Sequence, residues 1–254
     1  RARHVLLGDT VAIKMLPESA SGNSQWLRRF LREGQAARRF RHPNAVVVHD
    51  LRVSSEGPVY LVLEYVDGVS LRSELRRRRR FDPLDALAIL EQIAGALDAA
   101  HRAGVVHRDL KPENVMLTTA DGTLVAKVVD LGLARLVEEH SDVTGSLTQA
   151  GAAIGTPRYM APEQWGRPQR DGIDAIDGRT DVYSLAVTAF ELLAGQAPFD
   201  AKSVYGFRDL HIGALPPMLN AVRPELGESL ARVVDSGLAK DRADRPQTAG
   251  AFVA

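Results

Sequence analysis

The sequence predicts an α+β fold in two lobes, a small antiparallel sheet with one main helix followed by a larger helical lobe. Three observations predict it. Short β-like apolar runs crowd the first quarter of the chain; apolar stripes at helical spacing begin beyond Asp67-Gly68; and a long stretch poor in periodicity, 131–180, lies between the helical parts of the second lobe.

Each element has its own signal. Val11-Ala12-Ile13-Lys14-Met15-Leu16 is an apolar strand run interrupted by one lysine, and Leu6-Leu7-Gly8-Asp9-Thr10 before it reads as a hairpin turn. Over 25–40 the residues Trp26, Leu27, Phe30, Leu31, Ala37 and Phe40 fall mostly at helical spacing. The valine-rich 45–53 and the stretch 58–66, with Tyr60-Leu61-Val62-Leu63, are two more strands. Asp82-Pro83 predicts an N-cap and a proline at the first helical position, followed by the stripe Leu87, Leu90, Ile93, Ala94 and Leu97, with Gly104 as the stop. A small strand pair, 115–117 and 124–129, turns at Asp121-Gly122. The stretch 131–180 is rich in Gly, Thr, Pro and Ser, and irregular segments of that length are usually functional or disordered. Helices resume over 182–194 and 229–239.

Composition bounds the function. The 254 residues are 45% hydrophobic and 25% charged, which suits a globular domain that needs no staples. Thirty-two Lys+Arg balance thirty-two Asp+Glu, which argues against a surface built to embrace nucleic acid. With no cysteine, disulfides, thiolate metal sites and cysteine nucleophiles are excluded. The histidines lack metal-ligand spacing, so no zinc is expected. No apolar run is long enough to span a membrane and no leader is evident, which points to a cytoplasmic domain. The chain opens at Arg1 without an initiator Met and reads as a piece of something longer.

The strongest chemical signal is His107-Arg108-Asp109-Leu110-Lys111-Pro112-Glu113-Asn114. One loop there holds a carboxylate, a lysine two residues on and an amide five residues on. Phosphoryl transfer needs an acceptor that orients the attacking hydroxyl, a cation for the moving group and a neutral metal ligand. Asp130-Leu131-Gly132, at the end of a strand, supplies a carboxylate of the kind that holds Mg²⁺ against phosphate oxygens.

With these motifs the sequence resembles the bacterial eukaryotic-like (Hanks-type) serine/threonine protein kinases, over essentially all 254 positions. Val11-Ala12-Ile13-Lys14, Tyr159-Met160-Ala161-Pro162-Glu163-Gln164 and Leu238-Ala239-Lys240-Asp241 carry the bacterial texture, and Lys111 the serine/threonine pattern. The resemblance implies a kinase small lobe and hinge over 1–66 and a large lobe over 67–254, with an activation segment at 130–163 and a truncated last helix. It implies transfer of the γ-phosphate of ATP to Ser/Thr hydroxyls of protein substrates, with Mg²⁺ as cofactor. Asp109 would orient the hydroxyl, Lys111 would sit near the γ-phosphate, and Asn114 and Asp130 would hold the metal. Lys14 would touch the α- and β-phosphates and pair with Glu33. Glu64-Tyr65-Val66 matches the hinge that edge-binds adenine, Leu63 the gatekeeper, and Ala12 and Met116 the residues above and below the ring.

The same resemblance assigns structural and regulatory roles. Glu163, closing Gly155-Thr156-Pro157-Arg158-Tyr159-Met160-Ala161-Pro162-Glu163, would pair with Arg245, and Asp181 would fix the catalytic-loop backbone. Thr156 would hold Asp109 and Lys111 by hydrogen bonds. Arg108, Arg135 and Arg29 would form a pocket for a phosphate on Thr148, or failing that Thr144 or Ser146, with self-association for trans-autophosphorylation. Five consecutive arginines, Arg76 to Arg80, read first as a solvated, frayed helix end and second as a docking patch for acidic partners.

Four departures from the family stand out. The glycine-rich loop that covers the phosphates is missing, with Arg1-Ala2-Arg3-His4 resembling the stretch just after it, so the chain as given is expected to bind ATP weakly and turn over poorly. Leu131 replaces the usual phenylalanine, and Ala186 stands where glycine is common. The stretch 166–178, with Asp171, Asp174 and Asp177, is longer than usual and reads as a surface loop. The alternatives are a pseudokinase scaffold, disfavoured because Lys14, Asp109 and Asp130 are all present, and a small-molecule phosphotransferase, disfavoured by 155–163 and Arg245.

Overall fold

The computed structural model describes residues 1–3, 5, 8–15, 40–52, 59–131 and 157–254. Glu33, Arg29, Arg135, Thr144, Ser146, Thr148 and Thr156, and most of the 25–40 helix, lie outside the described residues.

The small lobe is an antiparallel sheet in the order β1-β2-β4-β3, from β1 (Ala2–Arg3), β2 (Thr10–Met15), β3 (Val48–Arg52) and β4 (Tyr60–Glu64). Alternation sets its register: Leu61 and Leu63 of β4 are buried while Tyr60, Val62 and Glu64 are half-buried. β1 borders β2 only at Val11 and Thr10, so the arginine-bearing start of the chain occupies part of that sheet edge. The 45–53 stretch is strand only from Val48. Ahead of it, Ala45 forms a lone parallel bridge to Val128, Val46 N donates to Val128 O at 2.9 Å, and Asn44 Nδ2 donates to Ala126 O at 2.9 Å. These bonds tie the small lobe to the strand that leads into Asp130.

The large lobe begins with β5 (Val69–Ser70) and α1 (Leu71–Arg78), whose last turn and cap begin the arginine run. This helix end is not frayed. Arg79 N donates to Leu75 O at 2.7 Å, Phe81 N donates to Leu192 O at 2.8 Å, and Phe81 is buried. Helix α2 (Pro83–Arg102) buries Ala86, Ile89, Leu90, Ile93, Ala94, Leu97 and Ala100, one face at helical spacing. Asp82 makes no side-chain cap bond, so proline at the start and positive φ at Gly104 beyond the end define its limits. Strands β6 (Val115–Ala120) and β7 (Thr123–Val128) form a hairpin whose Asp121-Gly122 turn has positive φ at both residues, 50° and 77°, as a two-residue turn of matching twist requires.

Helix α3 (Arg179–Ala194) starts three residues before the predicted position and is the pillar of the lobe, with fourteen residues buried from Thr180 to Leu193. Helices α4 (Val204–Gly213), α5 (Leu219–Val222), α6 (Gly227–Gly237) and α7 (Ala249–Val253) surround it. A Cβ on Gly237 would sit 2.6 Å from Ala186 Cβ, so the methyl of Ala186 is accommodated by a glycine across the α3–α6 contact.

The stretch 166–178 is held from inside rather than left as a free surface loop. Arg242, 1% exposed, donates to Asp171 Oδ1 and Oδ2 at 2.7 and 2.8 Å and to the carbonyls of Ile173 and Ala175 at 2.6 Å each. Arg179 adds bonds to Asp171 and Asp177. Bonds to Arg242, Arg179 and the Ile173 N–H hold the Asp171 carboxyl well below the usual carboxylate range.

Candidate active site

Three polar anchors on α3 build the site, and all are buried. Asp181 is fully buried at the start of the helix and accepts from His107 N and Arg108 N, both at 2.8 Å, and from His101 Nε2 at 2.7 Å. Burial pushes its pKa up, but the hydrogen bond and charge of His101 and the backbone N–H of His107 outweigh that and leave it lowered. Ser184 Oγ donates to Tyr159 O at 2.8 Å, and Thr180 Oγ1 donates to Glu163 Oε1 at 2.7 Å. One helix thus grips both the 107–114 loop and the 157–165 segment. Of these hooks only Asp181 was visible in the sequence.

The loop itself is strained and over-determined. Arg108 sits at φ 66°, a conformation that costs a non-glycine residue about 1–3 kcal/mol. Asp181 holds its N–H, and Gln164 Nε2 donates to its carbonyl at 2.8 Å. His107 is buried, accepts from Asp109 N at Nδ1 (3.3 Å) and therefore donates from Nε2 to Val129 O (3.0 Å). That single tautomer fixes Asp109 relative to the residue before Asp130.

Asp109 faces Lys111, whose Nζ lies 3.0 and 2.7 Å from its carboxylate oxygens. Asn114 Nδ2 donates to Asp109 O at 2.8 Å and to Asp109 Oδ2 at 3.1 Å. With its nitrogen committed twice, the Asn114 amide has its oxygen left for another ligand. Lys14 Nζ lies 2.7 Å from Asp130 Oδ2, the two side chains 38% and 25% exposed, and Asp130 is held at φ 63°. An amide oxygen and one or two carboxylates are hard donors, the set Mg²⁺ takes when phosphates complete its shell, so these residues fit the ion.

Among the positions matched to the adenine site, the sheet register brings Ala12 and Leu63 together. Leu63 lines a narrow cleft with Phe40, Val48, Asp130 and Leu131. Met116 is half-buried on β6, opposite Ser70 and Lys127. Val66 follows the sheet in the connection to the large lobe. The Glu64 carboxylate does work that sequence reading missed: it accepts from Lys127 Nζ at 2.7 Å and from Val47 N at 3.1 Å. Lys127 lies opposite Met116 in the β6–β7 register and Glu64 opposite Val11 in the small lobe, so no local signal announced their meeting.

Two buried ion pairs support the 157–165 segment. Arg245 meets Glu163 through both nitrogens, at 2.7 and 2.8 Å, and spends its remaining donors on the carbonyls of Ala239, Arg179 and Lys240. Arg72 donates to both Glu191 oxygens at 2.9 Å, to Glu113 at 2.7 Å and to the Tyr159 hydroxyl, which in turn donates to Glu191 at 2.6 Å. This cluster was not foreseen, because an arginine and a glutamate 119 residues apart carry no sequence signal. Burial, reinforced by Glu191, pushes the Tyr159 phenol up, so it stays protonated and donates.

A loop that ties a carboxylate to a lysine and an amide, and that His107 joins to the strand ending at an aspartate paired with a strand lysine, is the arrangement the family match now explains. The protein kinase domain family matches residues 1–252. The chain belongs to the protein kinase domain family. Among curated relatives it is 36% identical over 257 residues to serine/threonine-protein kinase pkn3 of Myxococcus xanthus, covering 100% of this chain and 46% of that protein. It is 36% identical over 249 residues to serine/threonine-protein kinase PknH of Mycobacterium tuberculosis, covering 98% of this chain and 37% of that one. The kinase domain thus spans less than half the length of these relatives. Among solved structures, the PknI kinase domain of Mycobacterium tuberculosis superposes with a TM-score of 0.74 at 31% identity, covering 99% of this chain and 86% of that one. The fold is the two-lobed kinase fold. Among the described residues no helix is long and apolar enough to cross a membrane.

Proposed function

We propose that this kinase domain transfers the γ-phosphate of ATP to serine or threonine hydroxyls of protein substrates. The observation that carries it is the shared cluster of Asp109, Lys111 and Asn114, locked to the Asp130 strand by the His107–Val129 bond. Residues 1–66 serve as small lobe and hinge, and 67–254 as large lobe.

Asp109 accepts the hydrogen bond of the incoming hydroxyl and takes its proton as that oxygen bonds to the γ-phosphorus. The bond from phosphorus to the β–γ bridging oxygen breaks, and ADP leaves with its electron pair. Lys111, already on Asp109, places a cation beside the moving group, and Lys14 does so for the α- and β-phosphates. Bound Mg²⁺, held by Asn114 and Asp130, supplies further neutralisation of phosphate charge. Ala12, Leu63, Met116 and the Glu64–Val66 edge enclose adenine, and Glu33 takes Lys14 when the nucleotide site is assembled. Phosphate on Thr148, Thr144 or Ser146, added by a second copy of the chain, docks on Arg108, Arg135 and Arg29. Thr156 steadies Asp109 and Lys111.

Radiolabel transfer from ATP with Mg²⁺ to a generic basic protein tests the reading. An N-terminally extended wild type should label serine or threonine, and the same chain carrying Asp109→Asn, matched for melting temperature, should fall to background. Equal labelling by the two proteins, or none by an N-terminally extended wild type, rejects it.

A further inference from the structure

The run Arg76–Arg80 is exposed at every position, and its counter-charges account for only part of it. Arg77 and Arg78 both bind Glu74, and Arg78 also reaches Asp85 at 2.8 Å. Arg76, Arg79 and Arg80 make no ion pair among the described residues. Glu225, the acidic group within electrostatic reach of Arg80, is held by Arg223 at 2.9 Å instead. The helix dipole favours cations at this end, but it amounts to about half a charge and falls off within a turn. It does not account for a run of five in a chain whose net charge is zero.

The backbone adds a second observation. Arg79 ends α1 at φ 70°, ψ −38°, where glycine is the unstrained choice. An arginine stands there, and the surrounding chain clamps it. Its N–H is bonded to Leu75 O, its carbonyl packs where a Cβ on Gly195 would come within 2.8 Å, and the next turn is pinned by Phe81. The cations therefore stand on a rigid platform, which lowers the ordering cost of binding.

The first turn of the same helix meets the catalytic loop. Arg72, one turn before Arg76, bonds to Glu113, the residue preceding Asn114. At about 1.5 Å per helical residue the run begins about 6 Å along α1 from Arg72, so with the reach of the side chains a span of up to about 20 Å separates the arginine patch from the catalytic loop. An extended peptide covers that in about six residues.

We propose that Arg76, Arg79 and Arg80 form a docking site for an acidic stretch of a protein substrate, about six residues from the phosphorylated hydroxyl. This rests on the protein kinase reading, and it is tested by binding, which does not depend on phosphate transfer. The probes are labelled peptides with a central serine and four glutamates six residues away, on one side or the other, and matching peptides with four glutamines. Binding to the full chain is measured without nucleotide across a salt series. At least one glutamate peptide should bind more tightly than its glutamine match, with an affinity that falls as salt rises. The variant Arg76→Gln/Arg79→Gly/Arg80→Gln should weaken it about tenfold and flatten the salt slope, three exposed charge contacts being worth about that together. Its melting temperature should hold or rise, since Arg79→Gly relieves strain. Equal binding of both peptide types, or no change in the variant, overturns the proposal. So does arginine-dependent binding to phosphatidylserine vesicles without peptide binding, which would assign the patch to a membrane surface.

Discussion

Replacing Asp181 with asparagine separates a structural helix cap from the residue that holds the catalytic loop in shape. The carboxylate accepts three donors at 2.7–2.8 Å with no solvent to replace it. Asparagine offers one oxygen, and its NH₂ must face at least one of those N–H groups, donor against donor. The loss of a charge-assisted bond costs about 1.5–3 kcal/mol and an orphaned buried donor about 1–3 kcal/mol, so about 2.5–6 kcal/mol in all. For a domain of this size that lowers the melting temperature by about 10 °C. The strain at Arg108 would then lose its restraint, and relaxation of the loop would displace Asp109. A displacement of about 1 Å costs about a hundredfold in rate. Thermal melts and phosphate transfer to a basic protein check this. A variant that melts within about 2 °C of wild type and transfers phosphate normally refutes the argument.

Three further outcomes follow from the same contacts. Burial works to lower the His101 pKa, but Asp181, with Asp98 and Asp177, raises it above 6.5. Stability from His101 is therefore full below pH 6.5 and lost as pH rises through the folded pKa; urea titrations should show that slope and lose it in Asp181→Asn. Arg245→Ala strands Glu163 in the interior and should cost about 3–5 kcal/mol by denaturant melts, whereas Lys14→Met breaks a half-exposed pair and should cost under about 1 kcal/mol while abolishing phosphate transfer. Arg242→Met should leave α3 protected from hydrogen exchange but expose the amides of 166–178, because the Arg242 guanidinium holds the carbonyls of Ile173 and Ala175 and shares Asp171 with Arg179.

Local signals announced the elements whose own residues impose them. The β6–β7 turn follows from Asp121-Gly122, α2 from Pro83 and its apolar stripe, and the 107–114 loop from a run of functional groups that has no packing reason to occur. Signals failed where an element is defined by what surrounds it. Helix α3 is buried on every side, so no amphipathic stripe separated core from surface, and its start at Arg179 was missed. The short helices α5 and α7 are too brief for a period to show. The 166–178 stretch read as a featureless surface loop because its organiser, Arg242, is more than sixty residues downstream.

What the sequence by itself determined was the chemistry: which carboxylates, amide and lysines the chain carries, their spacing within each loop, and the family to which that spacing belongs. What only the tertiary structure decided was which distant groups those residues meet. Lys14 with Asp130, Glu64 with Lys127, Arg72 with Glu191, and Asp181 with the strained backbone at Arg108 are all such meetings. The physical reason is range. Propensity, capping and turn chemistry act over a few residues and are written in the local order of side chains. Buried charge must instead find its partner wherever packing brings one, so its pairing is set by the fold as a whole.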